Sequence, residues 1–233
     1  MVKVAINGFG RIGRLVFRYA WDDPTLEIVH VNDLCSIDSA AYLVKYDSVH
    51  GTWDKDVKQA DNDDSHFLVD GKKVTFSQHK DFKNIDFRGM GVEMVLECTG
   101  KFLKMDVLNP YIEQCGVKRV VVSAPVKEPT CENIVLGCNH AKLGKGEKKI
   151  VTNASCTTNC LAPVVKVIKE SFGIKHGCIT TIHDVTGTQV RLSKLKSVTI
   201  GLELHGMNHA CMLLFLPIYT PILTFSSLAF LNG

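Results

Sequence analysis

Residues 2 to 14 read VKVAINGFGRIGR, and this stretch decides the fold expected of the chain. The run from Val2 to Asn7 is apolar without long alternation, as in a strand that is buried on both faces. Gly8, Gly10 and Gly13 follow at once, and residues 14–21 have the pattern of a helix. In that order the first glycine allows a tight turn, the second lets the backbone approach a pyrophosphate, and the third lets the helix pack on the strand. We therefore predict a dinucleotide-binding unit; the alternative is a glycine turn before an ordinary helix.

An acidic residue stands where such a unit contacts ribose. A second predicted strand, Leu26 to Asn32, ends at Asp33, twenty residues after Gly13. A carboxylate at this place accepts hydrogen bonds from both ribose hydroxyls and repels a 2′-phosphate. The position favours NAD over NADP, and the alternative is an aspartate that caps a helix.

Predicted strands and helices alternate through the rest of the first 155 residues. Ser36 is expected to cap a helix that runs to about Tyr46, and Asp54 to Asp64 is expected to be a solvated surface segment. The other predicted elements are a hairpin over 67–76 turned at Asp-Gly, strands over 93–98, 117–122, 133–137 and 149–152, and a helix over 106–115. Such alternation predicts an open parallel sheet that binds its ligand at the carboxyl ends of the strands.

Three small residues fall at those predicted strand ends: Thr99, Gly100 and Ser123. A ligand at the carboxyl edge of the sheet would lie close to them. We expect them to be cofactor neighbours, and the alternative is that they are ordinary turn residues.

A cysteine lies at a predicted junction of strand and helix in the stretch Ser155-Cys156-Thr157-Thr158-Asn159-Cys160. A strand-like run over 149–153 precedes it, and a predicted helix over 161–172 follows it. Backbone N–H groups and the positive end of the helix dipole favour thiolate at such a junction, and thiolate is the nucleophilic form. The alternative is an inert buried cysteine. Cys160, one helical turn later, is expected to pack in the core rather than to act as a redox partner.

A histidine ends the next predicted strand, which spans His176 to His183. At the end of a strand the His183 side chain is free to project into a cleft. A lone histidine there is usually structural, but beside a nucleophilic cysteine it becomes a candidate general base.

Composition excludes several classes of protein. A chain of 233 residues with 45% hydrophobic residues forms one large domain or two modest ones, and a net charge of +3 is too small to indicate nucleic acid or a membrane surface as partner. Nine cysteines without a C-x-x-C pair indicate neither a disulfide framework nor a zinc site. The N-terminus is a strand rather than a signal peptide, so we expect a reducing, cytoplasmic location.

Three motifs in order give the chain a family likeness: INGFGRIGR over 6–14, SCTTNCLAP over 155–163 and TTIH over 180–183. Over about residues 1–189 the chain resembles the phosphorylating glyceraldehyde-3-phosphate dehydrogenases of glycolysis. The resemblance implies an α/β fold, a Rossmann-type doubly wound parallel sheet followed by an incomplete α+β catalytic domain. The expected limits are 1–155 for the NAD-binding domain and 156–189 for the start of the catalytic domain.

The resemblance also implies a reaction. Cys156 would attack the aldehyde to give a thiohemiacetal, and His183 would take the thiol proton and then assist hydride transfer to the nicotinamide. Inorganic phosphate would attack the resulting thioester and release an acyl phosphate. Ser155, Thr157 and Thr186 match positions that bind substrate or inorganic phosphate, a task that suits hydroxyl donors.

Cofactor contacts are implied in the same way. Arg11 and Ile12 match residues that touch the cofactor phosphates, Asp33 matches the acid at the adenosine ribose, and Ser123 matches a further contact. Lys80 lies roughly where the family has a basic residue on the cofactor side. The family is homotetrameric, but assembly of this chain is in doubt because interface segments are replaced.

After Gln189 the likeness stops, and three interpretations of residues 190–233 stay open. Residues 210–233 hold 24 residues without Asp, Glu, Lys or Arg, long enough for a membrane helix, although Pro217 and Pro221 would interrupt it. His205 and His209 have i,i+4 spacing and form a weak zinc motif with Glu203. The favoured interpretation is an atypical hydrophobic tail, a frameshift or truncation product that replaces most of the second domain and leaves it prone to aggregate.

Three functions are compatible with the sequence. The first is an NAD-dependent phosphorylating dehydrogenase acting on glyceraldehyde-3-phosphate, impaired by the tail. The second is a non-catalytic NAD-binding fragment that serves as an interaction partner. The third is a dehydrogenase with the same chemistry that acts on erythrose-4-phosphate. A metal site is not expected in any of them.

Overall fold

The computed structural model describes residues 1–60, 63–144, 148–181, 200–204 and 211–214, with backbone alone for residues 60, 200–204 and 211–214. These residues form two compact units. The first comprises 1–134 and 141–154, and the second comprises 135–140 and the described residues from Ser155 onward. The domain limits expected from the sequence, 1–155, 156–189 and 190–233, stay a prediction.

The first unit alternates strands and helices as the sequence predicts. Its strands are β1 Val2–Asn7, β2 Leu26–Asn32, β3 Tyr46–Asp47, β4 Gly51–Thr52, β5 Val57–Ala60, β6 Asp63–Val69, β7 Lys72–Ser77, β8 Met94–Glu97, β9 Arg119–Val122, β10 Glu132–Asn133 and β11 Ile150–Thr152. Its helices are α1 Arg11–Ala20, α2 Ile37–Lys45 and α3 Met105–Glu113, with a 3-10 turn at Phe82–Asn84.

Nine of the described strands form one sheet in the order β10-β11-β9-β8-β1-β2-β7-β6-β5. The pairs from β10 through to β7 are parallel, whereas β6 and β5 are added antiparallel at one edge. From β1 the chain turns to β2 on one side, and β8 later pairs on the other side, so the strand order reverses between β8 and β1. In sheets of this kind the ligand binds at that reversal.

Apolar side chains cover both faces of this sheet. Val4 and Ile6 of β1 belong to a buried cluster with Phe17 of α1 and Ala40 of α2. Ala5, between them in sequence, faces the other way and belongs to a second cluster that includes Leu108 of α3. Helices therefore pack on opposite faces, which confirms the doubly wound, Rossmann-type α/β fold.

The predicted hairpin is present between β6 and β7. Asp70 has a φ of 48° and Gly71 a φ of 78°, the pair of left-handed residues that a tight two-residue turn requires. The prediction of a solvated segment over 54–64 is wrong in part, because Val57–Ala60 pairs with β6 as an edge strand. Val57 packs against the first apolar cluster while Lys58 is exposed. Successive side chains of a strand point to opposite faces, so the charged side chain stays in solvent although the strand is paired.

Several element limits differ from the predicted ones. Helix α1 begins at Arg11, three residues before the predicted start, because Gly10 already serves as its N-cap. Strand β10 is only Glu132–Asn133 instead of 133–137, since Cys138 N–H bonds back to the Val135 carbonyl and Gly137 has a φ of 80°. Ser36 caps α2 as predicted, accepting from Ser39 N–H at 3.3 Å.

The second unit contains a long helix and a small sheet. The helix is α4 Cys156–Phe172, and the strands are β12 Ile174–Ile179, β13 Ile200–Leu204 and β14 Cys211–Leu214, paired antiparallel in the order β12-β13-β14. None of the residues of α4 is buried, and Cys160, expected in the core, is half-buried. No helix in the described part of the chain is long and apolar enough to cross a membrane.

Candidate functional site

The carboxyl ends of the seven parallel strands lie in one row along an edge of the large sheet. The last residues of β7, β2, β1, β8, β9, β11 and β10 pair in register: Ser77, Asn32, Asn7, Glu97, Val122, Thr152 and Asn133. The loops that follow these strands therefore leave from the same edge. The loops after β1 and β8, which carry most of the predicted cofactor residues, are neighbours where the strand order reverses.

The glycines of the first loop serve different structural ends. Gly8 has a φ of +94°, and a Cβ added there would lie 2.5 Å from the Thr99 backbone nitrogen. A Cβ at Gly13 would overlap the Gly8 carbonyl oxygen, so this glycine allows helix and loop to touch. Gly10 is different, because a Cβ there would meet no atom within 4 Å. The space before Gly10 is therefore open, as approach of a ligand to the backbone requires.

The N-terminus of α1 faces that open space without a side-chain cap. Gly10 is the N-cap residue and has no side chain to accept from the first helical N–H groups. Arg11 and Ile12, the first two helical residues, are exposed, and Arg11 Nη1 lies 3.6 Å from an Asp47 carboxylate oxygen. Uncapped N–H groups and the helix dipole favour an anion, so this terminus fits the pyrophosphate of a dinucleotide.

Asp33 has a role that the sequence did not reveal. Its Oδ2 accepts from the Phe9 backbone N–H in the glycine loop, and its Oδ1 accepts from Cys35 N–H at 3.0 Å. The Phe9 carbonyl oxygen in turn accepts from Arg14 Nη1 at 2.9 Å. Both polar backbone groups of Phe9 are thus held by side chains. Asp33 is half-buried at the edge of the sheet, and its oxygens have lone pairs left for ribose hydroxyls.

The three predicted residues at strand ends lie on the same edge. Thr99 and Gly100 follow β8, and the Thr99 N–H and hydroxyl both donate to Glu97 Oε1. Ser123 follows β9, is half-buried, and donates its backbone N–H to the Glu97 carbonyl at 2.9 Å. Lys80 lies on the loop after β7 and is exposed. The structure therefore brings all the predicted cofactor residues of the first unit to one edge.

Behind that edge lies a buried polar cluster that sequence reasoning missed. Glu97 is 1% exposed, and Asn7 and Asn32 are 2% and 4% exposed. Burial raises the pKa of the Glu97 carboxyl, and hydrogen bonds from Thr99, Tyr111 and Asn7 act against that shift. One feature of the sequence could have indicated this cluster: three apolar strands each end in a polar residue, namely Asn7, Asn32 and Glu97. Buried polar groups are normally hydrogen-bonded, so three of them at one edge are expected to bond to one another.

The cysteine stretch forms the start of α4 in the second unit. Ser155 is the N-cap, and its Oγ accepts from Thr158 N–H at 3.0 Å. Cys156 is the first helical residue, is exposed, and its Sγ lies 3.9 Å from Thr157 Oγ1. The predicted helix began at Leu161, so the helix is one and a half turns longer at its start. An exposed thiol at a helix N-terminus is in the environment that favours thiolate.

Ala154, the residue before the cap, has a left-handed backbone. Its φ is 57°, a conformation that costs an alanine roughly 1–2 kcal/mol. It is held by burial and by a hydrogen bond from its N–H to Thr152 Oγ1 at 2.9 Å. Such strain is characteristic of functional turns, and no feature of the sequence announces it.

The remaining predicted residues have no described geometry. His183 and Thr186 lie outside the described residues, as do Gln189, His205 and His209. The cysteine helix and the glycine loop belong to different units. Among the described residues, no group of three or more His, Cys, Asp or Glu side chains could hold a metal ion.

Comparison with known proteins gives the same family for both units. Residues 2–105 match the family model described as glyceraldehyde 3-phosphate dehydrogenase, NAD binding domain, and residues 155–199 match the one for the C-terminal domain of the same enzyme. The second match runs ten residues past Gln189, the expected end of the likeness.

Curated relatives carry the same name. The chain is 50% identical over 189 residues to glyceraldehyde-3-phosphate dehydrogenase 3 of Nostoc sp., 46% over 190 residues to glyceraldehyde-3-phosphate dehydrogenase 3 of Saccharomyces cerevisiae, and 45% over 188 residues to the enzyme of Mycoplasma pneumoniae. Each alignment covers 81% of this chain but only 54–55% of the relative, so the chain spans about half the length of the proteins it matches. The matched parts of this chain belong to the glyceraldehyde-3-phosphate dehydrogenase family.

Proposed function

We propose that this chain carries the groups for NAD-dependent, phosphorylating oxidation of glyceraldehyde-3-phosphate to 1,3-bisphosphoglycerate. The observation that carries the proposal is the exposed Cys156 thiol at the capped N-terminus of α4, in a chain whose first unit has an open glycine loop at the reversal of its sheet. Family membership supplies the substrate, because the relatives are named for it.

Cys156 is the proposed nucleophile. Its thiolate adds to the aldehyde carbon, and the alkoxide that forms carries the hydrogen that must leave as hydride. Bound NAD supplies the hydride acceptor. Loss of hydride gives a thioester on Cys156, and attack by inorganic phosphate on that thioester releases the acyl phosphate and regenerates the thiolate.

The hydroxyls around Cys156 are proposed to bind substrate or phosphate. Ser155 Oγ is engaged by Thr158, at 3.0 Å to its N–H and 2.7 Å to its Oγ1, whereas Thr157 Oγ1 lies beside the Cys156 sulfur. Thr157 is therefore the described hydroxyl best placed to donate to a group bound at that sulfur. Thr186 and the proposed base His183 complete the set by family resemblance.

Gly8, Gly10, Gly13, Arg11 and Ile12 are proposed to bind the cofactor phosphates. The open space before Gly10 and the uncapped start of α1 support this assignment. Asp33 is proposed to bind the adenosine ribose, with Thr99, Gly100, Ser123 and Lys80 as further neighbours on the same edge. A cytoplasmic location is part of the same proposal.

The test is NADH formation by the 233-residue chain with glyceraldehyde-3-phosphate, with and without inorganic phosphate. We expect turnover that requires phosphate and that Cys156→Ser abolishes, since an alcohol is a far weaker nucleophile than a thiolate. NADH formation that persists in the variant would refute the role of Cys156. Equal or faster turnover on erythrose-4-phosphate would identify the alternative substrate.

A second candidate is an NAD-binding protein without turnover. The observation in its favour is that the first unit packs apolar clusters on both faces of its sheet, whereas none of the residues of α4, which carries Cys156, is buried. Tight NAD binding by the whole chain, together with alkylation of Cys156 but no NADH formation, would decide for this candidate.

A further inference from the structure

We propose that Glu97 is a positioning residue that holds three loops of the cofactor edge in one arrangement, through Asn7 and Asn32. The loops are the glycine loop over 8–10, the loop over 78–80 after β7, and the loop over 99–101 after β8. The inference rests on the proposed function in one respect, namely that NAD binds at this edge. The connections themselves are contacts within the first unit.

Glu97 is surrounded by hydrogen-bond donors. Its Oε1 accepts from the Thr99 N–H at 2.8 Å and from the Thr99 hydroxyl, and its Oε2 accepts from Asn7 Nδ2 at 2.8 Å and from the Tyr111 hydroxyl at 2.6 Å. The Thr99 hydroxyl itself accepts from Lys101 N–H at 3.1 Å, so its proton points to Glu97. A carboxylate satisfies all four donors, and an amide cannot, because one of its two ends is itself a donor.

The same bonding continues across two more strands. Asn7 Oδ1 accepts from Asn32 Nδ2 at 2.7 Å, and this Nδ2 also donates to the His79 carbonyl at 2.9 Å. Asn32 Oδ1 accepts from His79 N–H at 2.8 Å and from the Ser77 hydroxyl at 2.7 Å. Each amide orientation is thus set by its neighbour, starting from Glu97, and the last amide holds the loop that carries Lys80.

The glycine loop is joined to this chain of bonds by contact and by backbone. The Gly8 N–H donates to the Asn32 carbonyl at 2.8 Å, and Gly8 packs so closely on the Thr99 backbone that a Cβ would overlap it. A shift of Thr99 would therefore displace Gly8. Because Glu97 fixes Thr99 directly and His79 through two amides, one buried carboxylate sets the relative position of all three loops.

Glu97→Gln tests the proposal because it keeps the shape and replaces one acceptor by a donor. In the ligand-free chain we expect faster amide hydrogen exchange in peptides that contain His79 and in those that contain Thr99. We also expect the Kd for NAD to rise about tenfold, the size of a lost hydrogen bond to a charged group. Val69→Ala is the control: Val69 is fully buried, pairs with Lys72 at the opposite end of β7, and should lower stability without either effect.

Faster exchange at Thr99 with unchanged exchange at His79 would overturn the proposal, and so would equal effects of Glu97→Gln and Val69→Ala on the Kd. If Glu97→Gln does not fold, Tyr111→Phe keeps the carboxylate but removes one donor to Glu97 and the hydroxyl that accepts from Asn7 Nδ2 at 2.6 Å. Smaller changes at both loops are then expected, and none at either loop would refute the coupling. Absence of NAD binding in the unsubstituted chain would instead refute the proposed function, while the exchange data still decide about Glu97.

Discussion

Helices α1 and α4 each follow a strand of the large sheet in sequence, yet they are held in different ways. Of the ten residues of α1 five are buried, among them Phe17 with 0% exposure, whereas none of the seventeen residues of α4 is buried. The start of α1 has no side-chain cap, while the start of α4 is capped by Ser155. In the described part of the chain, α1 is therefore held by a fully buried face, whereas the side chains of α4 are at most half-buried and the helix depends more on its cap and its own backbone hydrogen bonds.

The largest difference in stability is expected when one phenylalanine is truncated in each of the two helices. Phe17 packs in a cluster of rings with Phe9, Trp53 and Phe67, so Phe17→Ala should lower the free energy of unfolding by about 3–5 kcal/mol. Phe172 is 61% exposed, so Phe172→Ala should change the free energy of unfolding by less than about 0.5 kcal/mol. Urea unfolding followed by far-UV circular dichroism, to which both helices contribute, measures both losses. Similar losses in the two variants would mean that α4 is packed as firmly as α1.

A second, slightly smaller loss of stability is expected at the contact between Gly8 and Thr99. Gly8→Ala should lower the free energy of unfolding by about 3 kcal/mol, because a side chain at positive φ is strained and its Cβ overlaps the Thr99 backbone. Gly100→Ala is the matched control, since Gly100 also has a positive φ but a Cβ there meets no atom within 4 Å. In thermal unfolding we expect Gly100→Ala to lower stability less than Gly8→Ala, because only the backbone strain at positive φ contributes there. Equal losses would show that the contact contributes nothing.

The third prediction is a dependence of the first unit's stability on pH. Burial, and then the neighbouring His79, lowers the pKa of His30 to about 4. Between about pH 6.5 and pH 4 the unfolded chain binds a proton that the folded chain does not, so stability falls as the pH falls through this window. The loss between about pH 7 and about pH 5 should be about 2 kcal/mol. Urea titrations at these pH values test this, and a His30→Gln variant should show a flatter dependence.

The fourth prediction compares the caps of two helices. Ser155→Ala should destabilise the start of α4 by about 1 kcal/mol, which amide hydrogen exchange of its first two turns would report. Ser36→Ala removes the corresponding cap of α2, whose Ile37, Ala40 and Val44 are buried. Because packing holds α2, its amides should change less than those of α4. The reverse order would contradict the view that α4 depends on its cap.

The smallest effect on stability is expected at Gly10. Its φ of −67° suits any residue and a Cβ there meets nothing, so Gly10→Ala should change the free energy of unfolding by less than about 0.5 kcal/mol. The methyl group would nevertheless occupy the space before α1, so we expect the Kd for NAD to rise by about tenfold or more. Thermal unfolding and fluorescence titration separate the two. Unchanged binding would place the pyrophosphate elsewhere.

The sheet and the glycine loop could be predicted because their signals are local. Periodic apolar runs, the glycine spacing and the Asp70-Gly71 turn each report on a few neighbouring residues. The start of α4 was missed because Thr157 and Thr158 are β-branched and have low helix propensity, which outweighed the capping signal of Ser155. The buried bonds among Glu97, Asn7 and Asn32 were missed because they join residues as many as ninety positions apart.

The tie between Asp33 and Phe9 has a consequence for changing the cofactor preference of this chain. Replacing Asp33 by a small neutral residue would remove the charge that repels a 2′-phosphate, but it would also leave the Phe9 N–H without its acceptor and loosen the glycine loop. Selectivity and loop order are thus encoded in one carboxylate. A variant that is to accept NADP should keep an acceptor for the Phe9 N–H, as Asp33→Asn does with its single amide oxygen, although it gives up the bond to the Cys35 N–H. The positive charge should then come from another position.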